Sequence, residues 1–530
     1  MLGKPFIYKP ILAFVAVLMA MLYLPSVVLN WITPNWTFSA QARALTGSLA
    51  KLACEPGCKR DNPYFMPGDP QFSWEPGPHW TLGFARQNLT DSPEVRKNIK
   101  DGVYHMAGFG IIKTADIMDD MYVKAIYLDD NTERGGILYA VIDCVGISNT
   151  DANKVRALIW DWAKGKGIRG IQVAATHSHS CIDTIGMWGL PFDGKVPAFQ
   201  KMMIEKTVQA MKDAYANRQD GKLHMATAQA GDYIMDTRSP EVFEKLITRL
   251  RFEPAAPGAK DVYLLSAGVH PESIGSRNSV VTADFPAYAA KYIYENKNGA
   301  ETIFIQGALG AMVTVRDLRV YSEDRLALAR NGGVEFAQYV LGERGSVSAE
   351  TELPALLNTA NMEYELPIEN LLFIIGIKAG ILNHTGYRVR GKSFKYATTC
   401  EAGYLRLGDK TDSLDILLAP GEPAPELFLG GFMGAEESAL GAEYPRKAIF
   451  EYLSEYDFAS QRHIVFGMAN NFTGYVIPDN DFLLHKWLPY IVRPDDRFER
   501  GHYEETNSAG PQTARVLTEA FCRLFANIEA

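Results

Sequence analysis

Hydrophobic positions repeat with two periods along this chain, and the change from one to the other marks out its elements. Tyr122 to Leu128 alternates toward the turn cluster Asp129-Asp130-Asn131, and Gly135-Gly136 opens an apolar run from Ile137 to Val145. Period two followed by glycine predicts a β-hairpin with a buried second strand, interrupted by Asp143. Val155, Leu158, Ile159 and Trp162 then share one side of a helix over Thr150 to Lys164. The apolar run Ile171-Gln172-Val173-Ala174-Ala175 climbs out of Gly170 as a further buried strand. The pattern continues with a helix over Pro197 to Asn217 and a strand over Leu223 to Ala230. A hairpin follows, pairing Leu246 to Phe252 with Val262 to Val269. Ala283 to Glu295 reads as a helix, and Thr302 to Gln306, Leu414 to Leu418 and Ile464 to Met468 as short strands. Gln512 to Asn527 is an amphipathic closing helix. Thr81 to Met106 reads as polar and irregular. Leu371 to Leu382 is apolar throughout but too short to span a bilayer, so a core helix or strand is expected, with a lipid-facing groove wall as the alternative.

Several of these strands end in groups with chemistry. After Ala175 the chain reads Thr176-His177-Ser178-His179-Ser180. Alternate residues of a strand share a face, so His177 and His179 are expected to point into one pocket. Imidazole is the commonest protein ligand for metals near neutral pH, and metal sites favour such spacing. The alternative is a turn whose histidines cap nearby backbone. The strand ending at Val269 delivers His270, with Pro271 stopping it. Leu414 to Leu418 leads to Pro420-Gly421-Glu422, and Ile464 to Met468 leads to Asn470-Asn471-Phe472-Thr473-Gly474-Tyr475. Strand-end loops on a rigid sheet are where functional side chains usually sit. His177, His270, Glu422 and Tyr475 are spread along much of the chain, which argues for one large α/β domain of mixed sheets flanked by helices.

The N-terminus reads differently. Ile11 to Leu29 is almost wholly apolar, long enough for a bilayer core, and no charged residue lies between Lys9 and Arg43. Lys4 and Lys9 before it keep that end in the cytoplasm. The expected organisation is a signal-anchor over residues 1–33, linker and loop over 34–75, and the folded body over 76–530. The body is then held on the extracytoplasmic side, periplasmic or extracellular. A secreted form cleaved near Ala40-Gln41-Ala42 is the alternative. The net charge of -9 argues against a nucleic-acid surface. With six cysteines in 530 residues the chain is no disulfide scaffold, although Cys54 and Cys58 are placed to close a small loop if oxidised. The oligomeric state leaves no mark in the sequence.

Taken together, the motifs from Gly102 to Ala526 resemble the neutral (alkaline, non-lysosomal) ceramidase family. The resemblance is carried by Ala175 to Ser180, Val269-His270-Pro271, Pro420-Gly421-Glu422 and Ala469 to Tyr475. His502-Tyr503-Glu504 and Gly510-Pro511-Gln512-Thr513 continue it. It implies Zn²⁺ held by His177, His270, Glu422 and Tyr475, with His179, Arg238 and Tyr503 as catalytic groups. Two imidazoles, a carboxylate and a phenol suit this borderline-soft ion. The implied reaction is hydrolysis of the amide of an N-acylated (sphingo)lipid by metal-activated water. His179 would serve as the proton carrier, and Arg238 and Tyr503 as donors to the developing oxyanion. The chain departs from the family where a serine turn follows the Phe304-Ile305-Gln306 strand: Ala311 and Val313 stand at the expected acid-or-amide and serine positions, and Thr314 lies one residue beyond. Ser180-Cys181-Ile182-Asp183 replaces a glycine-rich stretch, an insertion separates Tyr475 from Tyr503, and the family's C-terminal immunoglobulin-like domain has no counterpart. The alternatives are a zinc hydrolase of this fold acting on a different amide or ester, and a non-catalytic metal-binding relative.

Overall fold

The structure, a computed structural model, describes residues 62–189, 194–314, 324–389, 392 and 396–529. The apolar Ile11 to Leu29 stretch, Cys54 and Cys58 lie outside the described residues. Among the described residues no helix is long and apolar enough to cross a membrane.

A nine-stranded sheet forms the larger half of the body. Its spatial order is Glu301–Gln306, Val262–Ala267, Leu246–Pro254, Gln219–Gln229, Trp80–Asn88, Tyr122–Asp129, Ile137–Ile142 and Gly170–Ala175, with Thr351–Leu353 pairing Gln219–Gln229. The first and last neighbours in that order pair in parallel, and both predicted hairpins are antiparallel. Strand alternation decides which side each residue serves. Val123, Ala125 and Tyr127 face the layer built from helices Asn149–Gly165 and Pro197–Ala216, while Ile126 and Leu128 face the opposite side. There they meet Leu405, Leu407, Ile416, Leu418 and Phe466 of a five-stranded sheet ordered Leu357–Pro367, Tyr396–Gly408, Ser413–Leu418, His463–Phe466, with Gly386–Arg388 beside Tyr396–Gly408. On the outer face of that second sheet, Cys400, Ala402 and Tyr404 take the closing helix Thr513–Glu529 through Leu517, Phe521, Leu524 and Phe525. Their spacing of three and four keeps those side chains on one stripe. Each such fully buried side chain contributes about 1.5–3 kcal/mol of transfer free energy. The order of layers is therefore helices, sheet, sheet, helix, with the main core between the sheets.

The large sheet twists far enough for its ends to meet. Gly170–Ala175 and Glu301–Gln306 stand at opposite ends of the strand order, yet Gln306 Nε2 donates to the Thr176 carbonyl at 2.8 Å. Accumulated right-handed twist produces this curl. It gathers the C-terminal ends of strands that are remote in sequence.

Some expectations change. Trp80–Asn88 is a strand near the middle of the large sheet, and Pro93–Lys100 is a helix capped by Ser92, in a region expected to be irregular. Trp80 and Leu82 join the core between the sheets, but Thr81 and Gly83 weaken the apolar signal. Glycine is required there because a Cβ would fall 1.9 Å from the Ala214 carbonyl oxygen of the covering helix. The strand expected to run to Val145 stops at Ile142. Asp143 lies past its end and accepts from the Tyr122 backbone N–H at 2.9 Å. The apolar Leu371 to Leu382 stretch gives a helix only over Leu371–Lys378, started by Asn370 Oδ1 accepting from the Leu372 N–H at 3.0 Å.

Candidate metal centre

His177 and His179 do come together, but not by strand alternation. Strand Gly170–Ala175 ends two residues before His177, whose backbone is left-handed at φ 63°. A residue with a Cβ seldom adopts that conformation, and such strain gathers at functional sites. It turns the chain so that both rings enter one space, with Nε2 of His177 and Nε2 of His179 3.1 Å apart. His179 is held in turn by its backbone N–H, which donates to the Pro271 carbonyl at 3.0 Å. On the second strand end, the His270 backbone N–H donates to the Met312 carbonyl at 2.8 Å, and its Nδ1 lies 2.7 Å from that same oxygen. His177 Nδ1 lies 2.6 Å from the Val145 carbonyl. Each carbonyl fixes the ring as Nδ1–H and leaves the Nε2 lone pair turned inward.

Glu422 and Tyr475 arrive as a pair. Glu422–Pro423 and Tyr475–Val476 form a short parallel ladder in which Glu422 is the direct partner of Tyr475. Gly421 permits the approach: its φ is +66°, and a Cβ there would fall 2.2 Å from Thr473 Oγ1. Glu422 Oε2 is 3.3 Å from Nε2 of both His177 and His270. His177, His179 and His270 are all buried, and their candidate ligand atoms lie within 4.8 Å of one another.

These residues fit a cation. Inward-facing lone pairs of neutral imidazoles repel one another and a carboxylate, and burial removes the water that would screen them. A positive charge among them removes the conflict. The electrostatics point the same way. Burial works against the charge of Glu422, yet His177 and His270 hold its carboxyl well below the usual range. Burial also works against charging His270, but Glu422 and Glu272 outweigh it and hold that imidazole above its ordinary value. Burial, with His177 and His270 adding to it, pushes His179 well below its ordinary value, so that ring is neutral. Burial and the Glu422 charge push the Tyr475 phenol well above its ordinary value.

His177, His179, Glu422 and Tyr475 line a cavity of about 520 Å³, and His270 meets them just outside its lining. Phe109, Met187, Trp188, Met235 and Phe472 supply much of its wall, and Glu272, Thr237, Val313, Thr314 and Asn507 also face it. The Tyr475 and Tyr503 hydroxyls are 2.9 Å apart, and Tyr503 is 39% exposed, its ring at the rim and its oxygen reaching inward. Arg238 lies elsewhere. It is not among the residues lining this cavity, and its guanidinium is engaged beneath the turn that carries Tyr503. Nη1 donates to Glu504 at 2.8 Å, and Nη2 donates to Asp481 Oδ2 at 2.8 Å and Glu505 at 3.0 Å. Val313 and Thr314 both face the cavity from strand Met312–Thr314, while Ala311 before them is left-handed at φ 66° and turned into the core.

Sequence reasoning passed over three residues that build the site. The Gln306 amide donates to Thr176 O and Val269 O, each at 2.8 Å, and its carbonyl accepts from Val269 N–H at 3.3 Å, tying together the strand ends that carry His177 and His270. Asn470 Oδ1 accepts from Val173 N–H at 3.0 Å and clamps the Tyr475 loop to the His177 strand. Glu272 puts a carboxylate 3.5 Å from His179 Nδ1. The only local signal was polarity at or just after a strand end, as at Gln306, Asn470 and Glu272.

No family profile matches the chain's sequence, and no curated protein matches it either. Its shape does have relatives among solved structures. The neutral ceramidase of Pseudomonas aeruginosa superimposes with a TM-score of 0.61 at 16% identity, covering 84% of this chain and 74% of that one. A ceramidase complexed with C2 gives a TM-score of 0.61 at 14% identity, covering 85% of this chain and 75% of that one. The fold resembles that of neutral ceramidase. At these identities the likeness is one of fold, and the chemistry rests on the side chains above.

Proposed function

We propose that this chain is a zinc-dependent amidohydrolase acting on an N-acylated lipid, with the sphingolipid class as the first candidate. The observation that carries the reading is the convergence of His177, His179, His270 and Glu422, three of which, His177, His179 and Glu422, line a largely apolar cavity. The zinc set is His177, His270 and Glu422, with Tyr475 beside them. Both histidines have Nδ1 fixed by a backbone carbonyl, as ligand imidazoles usually do, whereas His179 Nδ1 faces a carboxylate. That difference supports a role for His179 in proton transfer instead of ligation. When bound, zinc supplies a Lewis acid and activates water at neutral pH.

The chain's own residues do the rest. The cavity wall of Phe109, Met187, Trp188 and Phe472 takes up acyl chain and excludes solvent. His179 Nε2 accepts the proton of the attacking water as its oxygen adds to the amide carbon. It returns that proton to the nitrogen as the C–N bond breaks, giving a fatty acid and an amine. The Tyr503 hydroxyl, held by Tyr475, donates to the carbonyl oxygen as charge develops there. Arg238 contributes by positioning, since it fixes Glu504 and Glu505 next to Tyr503. The apolar Ile11 to Leu29 segment anchors this body to a membrane, with the cavity on the extracytoplasmic side. Resistance of the full chain to carbonate extraction, and its loss on deleting residues 1–33, tests the anchor.

The test of function is purified full-length protein in detergent, assayed on a panel of ceramides, other N-acyl lipids, simple amides and esters. Turnover abolished by chelation and restored by zinc supports the reading; a fully zinc-loaded protein inert on the whole panel overturns it. Val313 in the cavity wall favours a second reading, a hydrolase of the same fold for a different amide or ester, because valine offers no hydrogen bond to a head group. Turnover of simple amides or esters without ceramides selects that reading.

A further inference from the structure

His179 is packed closely on the sides away from the cavity. Phe109 packs edge-on at 5.1 Å between ring centroids, and His177 and His270 lie at 4.7 and 5.3 Å. The Gly108 backbone runs so close that a Cβ on it would stand 2.5 Å from His179 Cγ. The ring's Nε2 faces His177 and the cavity, while its buried Nδ1 makes no hydrogen bond among the described residues. The polar group set against that nitrogen is the Glu272 carboxylate, with Oε2 at 3.5 Å. Glu272 is buried, faces the same cavity, and sits in the tight turn after Pro271, where its backbone N–H donates to the His270 carbonyl at 3.0 Å. Burial disfavours a carboxylate there and the Asp284 and Glu422 charges repel it, against the attraction of His270, so a further hydrogen-bond donor stabilises it.

We propose that Glu272 is a positioning residue for His179. Its carboxylate accepts the Nδ1–H and so fixes the tautomer that leaves Nε2 as the base facing the cavity. The contact is longer than a closed hydrogen bond, and such contacts commonly tighten in the working complex. A small movement of the Glu272 side chain closes the gap, while the clamp around the ring leaves His179 no comparable freedom. The same pairing of carboxylate and imidazole orients the base in serine hydrolases and the ligand in zinc sites. The inference rests on the role given to His179 above.

The test uses the full chain with ¹⁵N-labelled histidine, as wild type and as Glu272→Gln and Glu272→Asp variants, with His179→Asn to assign the signal. In wild type the His179 ring is expected as the pure Nδ1–H tautomer. In Glu272→Gln, whose amide can donate as well as accept, it is expected as a mixture, and Glu272→Asp restores part of the wild-type state. On whichever amide is turned over, kcat in Glu272→Gln falls about 10- to 100-fold with little change in KM. An unchanged His179 tautomer in Glu272→Gln overturns the inference, whatever happens to turnover. Absence of all turnover in wild type defeats the proposed function instead, and the tautomer measurement still decides the pairing.

Discussion

Replacing Gln306 with leucine removes one side chain and should loosen both histidine-bearing strand ends. The amide is fully buried and makes three hydrogen bonds: it donates to Thr176 O and Val269 O at 2.8 Å each and accepts from Val269 N–H at 3.3 Å. Leucine has nearly the same shape, so packing is largely kept and the loss is one of hydrogen bonding. Each orphaned buried group costs about 1–3 kcal/mol, partly offset because leucine needs no dehydration of an amide. The net destabilisation expected is about 2–4 kcal/mol. Thr176 immediately precedes His177 and Val269 immediately precedes His270, so the variant should also bind zinc about 10- to 100-fold more weakly, as outer-shell losses usually do. Urea titration reads the first effect as a lower midpoint at unchanged slope, and competition with a chromogenic chelator reads the second. A change below about 0.5 kcal/mol, the least of the expected net bond values, together with unaltered zinc affinity would refute the claim that Gln306 joins the two ends.

Three further substitutions probe other links. Gly421→Ala must place a Cβ at φ +66° within 2.2 Å of Thr473 Oγ1, so it should break the Glu422–Tyr475 ladder, cost about 2–4 kcal/mol in urea titration and abolish tight zinc binding. Arg238→Met leaves the Asp481, Glu504 and Glu505 carboxylates without their shared guanidinium; about 3–5 kcal/mol of stability should go, and methionine should be tolerated far worse than at an exposed ion pair such as Lys97–Asp101. His384 is half-buried, with Nε2 2.6 Å from the Phe472 carbonyl, and loss of solvation pushes its pKa down from 6.5 to about 4. Between those values the unfolded chain binds the proton and the folded chain does not. Stability is therefore full above pH 6.5 and lost as pH falls toward 4, by up to about 3 kcal/mol, and His384→Gln should flatten that part of the stability–pH curve.

How much of this was legible depended on how local the signal is. The runs Ile137–Ile142, Gly170–Ala175 and Val262–Ala267 are buried along their whole length, and mostly apolar runs, broken here only by Gln172 and Ser266, mark such strands. The closing helix showed its stripe of Leu517, Phe521 and Leu524 directly. Trp80–Asn88 did not, because Gly83 answers to a helix backbone more than a hundred residues away. Histidines at strand ends were visible as candidates. Their meeting depends on the curl of the large sheet and the left-handed turn at His177, and no short window of sequence encodes either. The Glu422–Tyr475 pairing and the place of Arg238 beneath Tyr503 are also products of long-range packing. Glu272 was readable only as a turn residue after Pro271 until the fold set it behind His179.

The proposed chemistry depends above all on His177, His270 and Glu422 holding one divalent ion. Elemental analysis of the full-length protein, dialysed after exposure to stoichiometric zinc, tests it most directly. Close to one zinc per wild-type chain is expected, with little retained by a folded Glu422→Ala variant. Zinc-free wild-type protein, or equal retention by the variant, would contradict it.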